Sequence, residues 1–182
     1  MTTKKAKPAP HRIVSSAHLA DNRIGALSEL EFSLSMVVNA YQRWMVRCAE
    51  ASARYTAGTE RADLNALDVL ILHHVNHHDR PKRLVDLTLV LNVDNSHTVN
   101  YGLKKLVRLG LIAGERRGKE VFYSTTARGR SLCDQYRVFR EQCLIESLTH
   151  LGNPGTAISD AASLLRGLSG VYDQAARAAA SL

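Results

Sequence analysis

Between Asp94 and Gly110 the chain reads DNSHTVNYGLKKLVRLG, and this stretch limits what the rest can fold into. Val99, Leu103 and Leu106 recur at helical spacing, so one side of a helix enters a core. Asp94 is the candidate cap, a carboxylate able to accept backbone N–H bonds at the helix start. The opposite side carries Asn95, Ser96, His97, Asn100, Tyr101, Lys104 and Lys105, which are amide, hydroxyl and ammonium groups of the kind that reach base edges and phosphates. Gly102, in mid-helix, costs about 1 kcal/mol against alanine by propensity. Its presence predicts that the preceding helix crosses closely there.

The flanks complete a module. Upstream, Lys82 to Val93 has Leu84, Leu87 and Leu91 at i, i+3 and i+7, the pattern of a short helix joined to the next by only a few residues. Two helices so tightly linked make a helix-turn-helix. Downstream, Gly110-Leu111 ends the second helix, and Ile112 to Arg116 and Glu120 to Thr125 are strand candidates around Arg117-Gly118-Lys119. A basic hairpin directly after a helix-turn-helix is a winged helix. The expected fold is therefore mainly α, a winged helix-turn-helix with a two-stranded β-wing.

Charge follows the same map. The chain of 182 residues carries a formal +7, and the excess is uneven. Arg80 to Arg130 holds eleven Lys or Arg against four Asp or Glu, and residues 1–12 add four basic groups and no acidic ones. Elsewhere acidic residues prevail. A merely solvated basic surface would spread its charge, whereas this concentration fits a polyanion partner, double-stranded DNA. Phosphate contacts are expected from Lys82, Arg83, Lys104, Lys105 and Arg108, and base reading from the recognition helix, where Asn100 can pair bidentately with adenine.

The hydrophobic share of 45% and charged share of 23% are those of a folded globular chain. Cys48, Cys133 and Cys143 are odd in number, far apart and set in helical patterns, so they read as reduced, buried core residues rather than redox sensors. No apolar run is long enough to span a membrane and the N-terminus lacks the apolar region of a signal peptide, which points to the cytoplasm.

Four segments follow in order: a flexible basic arm over 1–22, an N-terminal dimerisation helix over 23–58, the winged helix-turn-helix over 59–128, and C-terminal dimerisation helices over 129–182. From Ile24 through Leu27, Leu30, Leu34, Val37, Tyr41, Trp44 and Cys48 apolar residues advance by three or four, and Met36, Val38, Ala40 and Met45 widen the stripe. Gly58 ends that helix. Thr59 or Asp63 is placed to start the next one, Leu64 to about Val75, and Asn76 to Pro81 reads as a loop. Thr126 to about Leu151 reads as one helix broken by Gly152-Asn153-Pro154-Gly155. The last helix runs from Thr156 or Ser159 to Ala180 through Leu164, Leu165, Leu168, Val171 and Tyr172. Long helices on both sides of so small a module predict a homodimer that sets two recognition helices on successive major-groove faces.

The order of elements resembles the MarR family of bacterial winged-helix transcription regulators. The resemblance rests on Leu64-x-x-Leu67-Asp68-Val69-Leu70, Asp94-x-Ser96-x-Thr98-Val99, Leu106-x-x-x-Gly110-Leu111-Ile112 and Thr126-x-x-Gly129, and covers roughly residues 25–180. More narrowly, Val99-Asn100-Tyr101-x-Leu103-Lys104-Lys105-Leu106 and Gly118-Lys119-Glu120-Val121-x-Tyr123-Ser124 are similar to a poorly characterised branch. The resemblance implies a transcription regulator, a repressor in type, and control by an unidentified small-molecule effector between dimer helices and winged helix. Wings of that family usually carry an Asp-x-Arg turn with an arginine in the minor groove. Here the turn is shorter, and Arg116, Arg117 or Lys119 takes that place. Tyr101 stands where an arginine is common.

Other chemistry has weaker support. His73, His74, His77 and His78 form pairs at i, i+4 that could ligate zinc from one helical face, with Asp79 nearby. No Glu stands in an H-E-x-x-H arrangement, so an exposed helix end rich in histidine is the favoured reading. No nucleophile elbow, P-loop or paired-carboxylate motif is present, and neither an enzyme nor a cofactor is expected. The competing classes are a winged-helix protein-interaction module and a zinc sensor built on the His73–His78 cluster.

Overall fold

The computed structural model describes residues 25–57, 63–148 and 155–182. The basic arm predicted over 1–22, the Gly58 stop, Thr59 and the break at residues 152–154 lie outside the described residues. The chain divides after Gln135 into two units.

In the first unit, α1 (Gly25–Ala57) buries Met45, Cys48, Ala49 and Ala53 along its C-terminal half. Met36, Val37, Val38 and Tyr41, in its middle, are exposed. The predicted stripe thus splits into a covered half and an open one. α2 (Ala66–Asn76) starts neither at Thr59 nor at Asp63. Asn65 caps it: its Oδ1 accepts the Asp68 N–H at 2.9 Å, and Asp68 Oδ2 accepts the Asn65 N–H at 2.9 Å. Val69, Ile71, Leu72 and Val75 are buried, which makes α2 the central helix of the unit.

After a 3-10 turn at His77–Asp79 comes a short strand, β1 (Lys82–Arg83), where the helix had been expected to begin. Two residues are too few to show alternation, so this strand left no pattern in the sequence. α3 (Leu84–Val90) follows, then α4 (Ser96–Arg108), β2 (Ile112–Arg117) and β3 (Glu120–Thr125). The sheet order is β1-β3-β2, all antiparallel, with Lys82 opposite Tyr123 and Arg117 opposite Glu120. The wing is two-stranded as expected, and β1 adds a third strand at its base. Gly118, at φ +64, opens its two-residue turn, where a positive φ matches the twist of the paired strands.

The core lies where α2, α3 and α4 meet. Leu87 on α3 and Val99, Leu103 and Leu106 on α4 are fully enclosed. Each such side chain contributes roughly 1.5–3 kcal/mol by leaving water. Gly102 shows why the helices come so near: a Cβ there would lie 2.7 Å from Ile71 Cδ1 and 3.1 Å from Asp68 Oδ1. The crossing helix is α2 rather than the adjacent α3.

The root of the wing is tied by Thr126. Its hydroxyl donates to the Gly110 carbonyl at 2.7 Å, with the Leu111 carbonyl at 3.0 Å, and accepts the Gly129 N–H at 3.1 Å. Gly129 sits so close that an added Cβ would collide with the Leu111 carbonyl. The Thr126-x-x-Gly129 pattern is therefore a clamp between the end of α4 and the start of α5 (Ala127–Arg140).

The second unit opens within α5. Instead of one helix to Leu151, α5 passes at Glu141–Ile145 into a π-helical turn, then α6 (Glu146–Leu148). The i→i+5 turn inserts a residue and rotates the face that follows. Cys143, inside this turn, is exposed, against expectation, while Cys48 and Cys133 are buried. α7 (Gly155–Ala179) begins at Gly155, a residue assigned to the break, and has no buried residue. Among the described residues no helix is long and apolar enough to cross a membrane.

Candidate nucleic-acid interface

α4 is fixed at both ends by its own sequence. Asn95, not Asp94, is the cap, its side chain accepting the His97 N–H at 3.0 Å. Either residue type can cap, and packing of Val99, Leu103 and Leu106 sets the register that selects Asn95. At the other end the Gly110 N–H donates to Val107 at 2.9 Å and the Leu111 N–H to Leu106 at 3.0 Å. Gly110, at φ +67, allows this paired closure.

With its inner face buried, α4 leaves Asn95, Ser96, His97, Tyr101, Lys104 and Arg108 exposed, and Asn100 half-buried. Asn100 lines a cleft of about 340 Å³ with Arg83, Leu84, Val85, Lys119, Val121 and Tyr123. Asn100, from the expected recognition face, and the wing therefore border one concave surface.

The predicted cations divide into two sets. Lys105 is turned inward, its ammonium 2.8 Å from Oδ2 of Asp68, with the two side chains 13% and 1% exposed. Arg83 donates to both carboxylate oxygens of Asp86 and, at 2.9 Å, to Glu120 on the wing. Hydrogen bonding to Arg83 holds the Asp86 carboxyl below its ordinary range, and the guanidinium is raised in turn. Lys82 donates to the His77 and Arg80 carbonyls at 2.9 and 2.8 Å. Partial burial, with Arg80 nearby, lowers its ammonium.

On the wing, Arg117 donates to Glu115 at 2.6 Å and lies 5.0 Å above the Phe122 ring. The pairing lowers Glu115 and raises Arg117. Arg116 donates to the Gly118 carbonyl at 3.2 Å, and Lys119 is exposed in the turn. Lys104, Arg108 and Lys119 thus carry charge at the open surface, whereas Lys105 answers a buried carboxylate and Arg83 two exposed ones.

The histidines do not form a ligand set. His73 and His74 lie on the last turn of α2, with His74 Nδ1 2.9 Å from the Leu70 carbonyl oxygen. His77 and His78 follow in the exposed turn, their ring centroids 3.7 Å apart. Among the described residues no group of three or more His, Cys, Asp or Glu is arranged to hold a metal ion.

What sequence reasoning missed are the partners of the cations. Asp68 stands in an apolar run, and a carboxylate there signals a buried partner. Glu120 meets Arg83 only in three dimensions, whereas Asp86, three residues on, is a local partner at the start of α3.

The Winged helix DNA-binding domain family matches over residues 64–129. A mutant MarR from E. coli complexed with operator DNA has a TM-score of 0.62 at 18% identity, covering 81% of this chain and 99% of that one. MarR from Staphylococcus aureus, in complex with salicylate and kanamycin, has a TM-score of 0.62 at 15% identity, covering 84% and 96%. BpsR from Bordetella bronchiseptica, whose DNA binding is regulated by 6-hydroxynicotinic acid, has 0.52 at 23% identity, covering 74% and 96%. No curated protein matches the chain in sequence.

Proposed function

We propose that this chain, a MarR-type winged-helix protein by fold with a winged helix DNA-binding domain at residues 64–129, is a sequence-specific regulator of transcription. It acts on duplex DNA in the cytoplasm as a homodimer, by binding rather than catalysis. The observation that carries this reading is the exposed polar face of α4 beside a cationic wing, held by a helix whose other face is fully buried. Asn100 and its neighbours Ser96, His97 and Tyr101 read base edges, with Asn95 at the helix entry. Lys104 and Arg108 meet phosphates, and Arg116, Arg117 or Lys119 enters the minor groove.

Dimerisation is assigned to α1 and the C-terminal helices, whose apolar residues Met36, Val37, Leu164, Leu165 and Val171 are exposed in the single chain. Two copies bound at a promoter would exclude polymerase, so repression is the proposed outcome. A small molecule controls binding, as 6-hydroxynicotinic acid regulates DNA binding by BpsR of Bordetella bronchiseptica.

Selection of bound fragments from genomic DNA tests the reading. The expected product is a palindromic motif with half-sites about one helical turn apart. Asn100→Ala with Lys104→Ala then abolishes the enrichment, and undiminished binding would remove α4 from the interface. A protein-interaction module has one observation in its favour: Val85, Leu89 and Val90 on α3 are exposed and apolar. That version yields no motif and no counterion-type salt dependence.

A further inference from the structure

We infer that Lys105 is a positioning residue, a strut that sets the roll of the recognition helix against α2, and not a DNA contact. The inference rests on the DNA-binding reading and assigns one of its cations a different task. Lys105 lies on the exposed helix of a basic module, beside Lys104, and charge alone would send both to phosphate. The geometry separates them.

Asp68 is 1% exposed, and its Oδ2 accepts both the Asn65 N–H at 2.9 Å and the Lys105 ammonium at 2.8 Å. One carboxylate oxygen thus closes the start of α2 and holds α4. Gly102, three residues before Lys105 on α4, leaves room for the other oxygen, Oδ1, which would lie 3.1 Å from a Cβ at that position. Gly102 and Lys105 therefore form a matched pair on one face: the first brings the backbone near the carboxylate, the second neutralises it. Asn100 and Lys104, four residues apart, share the neighbouring face. A rotation of α4 about its axis shifts them together.

Taking away the cation leaves a buried carboxylate unmatched. Water must then reach it through a movement of α4, which loosens the bearing of Asn100 on the groove. Loss of a phosphate contact has a different signature. It weakens binding to every duplex alike and reduces the salt slope by about one.

The experiment measures affinity for a duplex selected by the wild-type protein and for its scrambled counterpart, each over a range of salt. Lys105→Met is expected to keep the slope of log affinity against log salt while the selected-over-scrambled ratio falls about tenfold, the scale of one well-aligned base contact. Lys104→Ala, as the phosphate reference, lowers the slope by about one with little change in the ratio. Asp68→Asn removes no cation and keeps a capping oxygen, yet is expected to lower the ratio as Lys105→Met does. Lys105→Arg restores both quantities.

A reduced slope with a preserved ratio in Lys105→Met, or an unchanged ratio in Asp68→Asn, overturns the assignment. Should the wild-type protein distinguish no duplex from its scrambled form, the DNA-binding reading has failed, and thermal melting decides the strut by itself. The shifts from Asp68→Asn and Lys105→Met are then expected to overlap in the double variant; full additivity overturns the strut.

Discussion

α4 and α7 are both amphipathic helices, and they meet opposite fates. α4 encloses Val99, Leu103 and Leu106 completely within 13 residues. α7, at 25 residues, encloses none, and Ile158, Leu164, Leu165 and Val171 face water. Apolar surface left in water forgoes roughly 25 cal/mol per Å². The winged-helix unit therefore completes its core from its own residues, whereas α7 leaves its apolar stripe without a covering surface among the described residues. A second copy, as proposed, supplies one.

The largest expected effects belong to the self-contained side. Leu103→Ala removes a fully enclosed side chain and is expected to cost roughly 2–5 kcal/mol in urea unfolding. Gly129→Ala is of the same order, because its new methyl group collides with the Leu111 carbonyl and the Thr126 clamp cannot yield without moving the wing. Charged substitutions on α7 should behave otherwise. Leu165→Glu with Val171→Glu is expected to turn a dimer into a monomer in sedimentation, while the melting of the winged-helix unit shifts only by its share of dimer linkage. If the double variant still sediments as a dimer, α7 is not the missing contact. If α7 variants unfold the winged helix as severely as Leu103→Ala, the contrast between the two helices disappears.

That contrast also separates what the sequence discloses from what it hides. The inward stripe of α4, the close approach at Gly102, the glycine stop at Gly110 and the span of the wing were all legible, because each is a local constraint written at fixed spacing. The exposed face of α4 was legible as well. The partners of two cations of the module were not: Lys105 and Asp68 are 37 residues apart, as are Arg83 and Glu120, and no periodicity records such a pairing. β1 was hidden because two residues carry no alternation. The exposure of Cys143 was hidden because a stripe that reads as an uninterrupted helix passes into a π-helical turn, and no residue over 141–148 is buried.

A smaller effect separates the units by acidity. Burial, with the charge of His74 adding to it, holds the His73 imidazole below its ordinary 6.5. His77 is lowered too, first by His78 and then by burial and Lys82. Folding favours the neutral forms, so the unfolded chain binds more protons between the depressed and ordinary values. Stability from these groups is full above 6.5 and drains away as pH falls through the folded values. The melting temperature of the winged-helix unit is expected to drop between about pH 7.5 and about pH 5.5, with a shallower descent in His73→Leu. The C-terminal unit has one histidine in its sequence, His150, so its helical signal should fall less over the same range. An equal loss in both units would show that acid acts elsewhere.

The smallest expected change tests the wing, where ion pairs are exposed and contribute little to folding. Glu115 and Arg117 lie in direct contact with side chains 66% and 51% exposed, respectively. Glu115→Gln is accordingly expected to leave melting unaltered. Its consequence falls on binding, because the carboxylate that occupies the Arg117 guanidinium also repels phosphate. The variant is expected to bind duplex DNA about two- to fivefold more tightly at low salt, an advantage that fades as salt screens the added positive charge. Weaker binding in Glu115→Gln would instead mean that the pair aims Arg117 into the groove, and that an exposed carboxylate on this wing orients its neighbour as the buried one at Asp68 does.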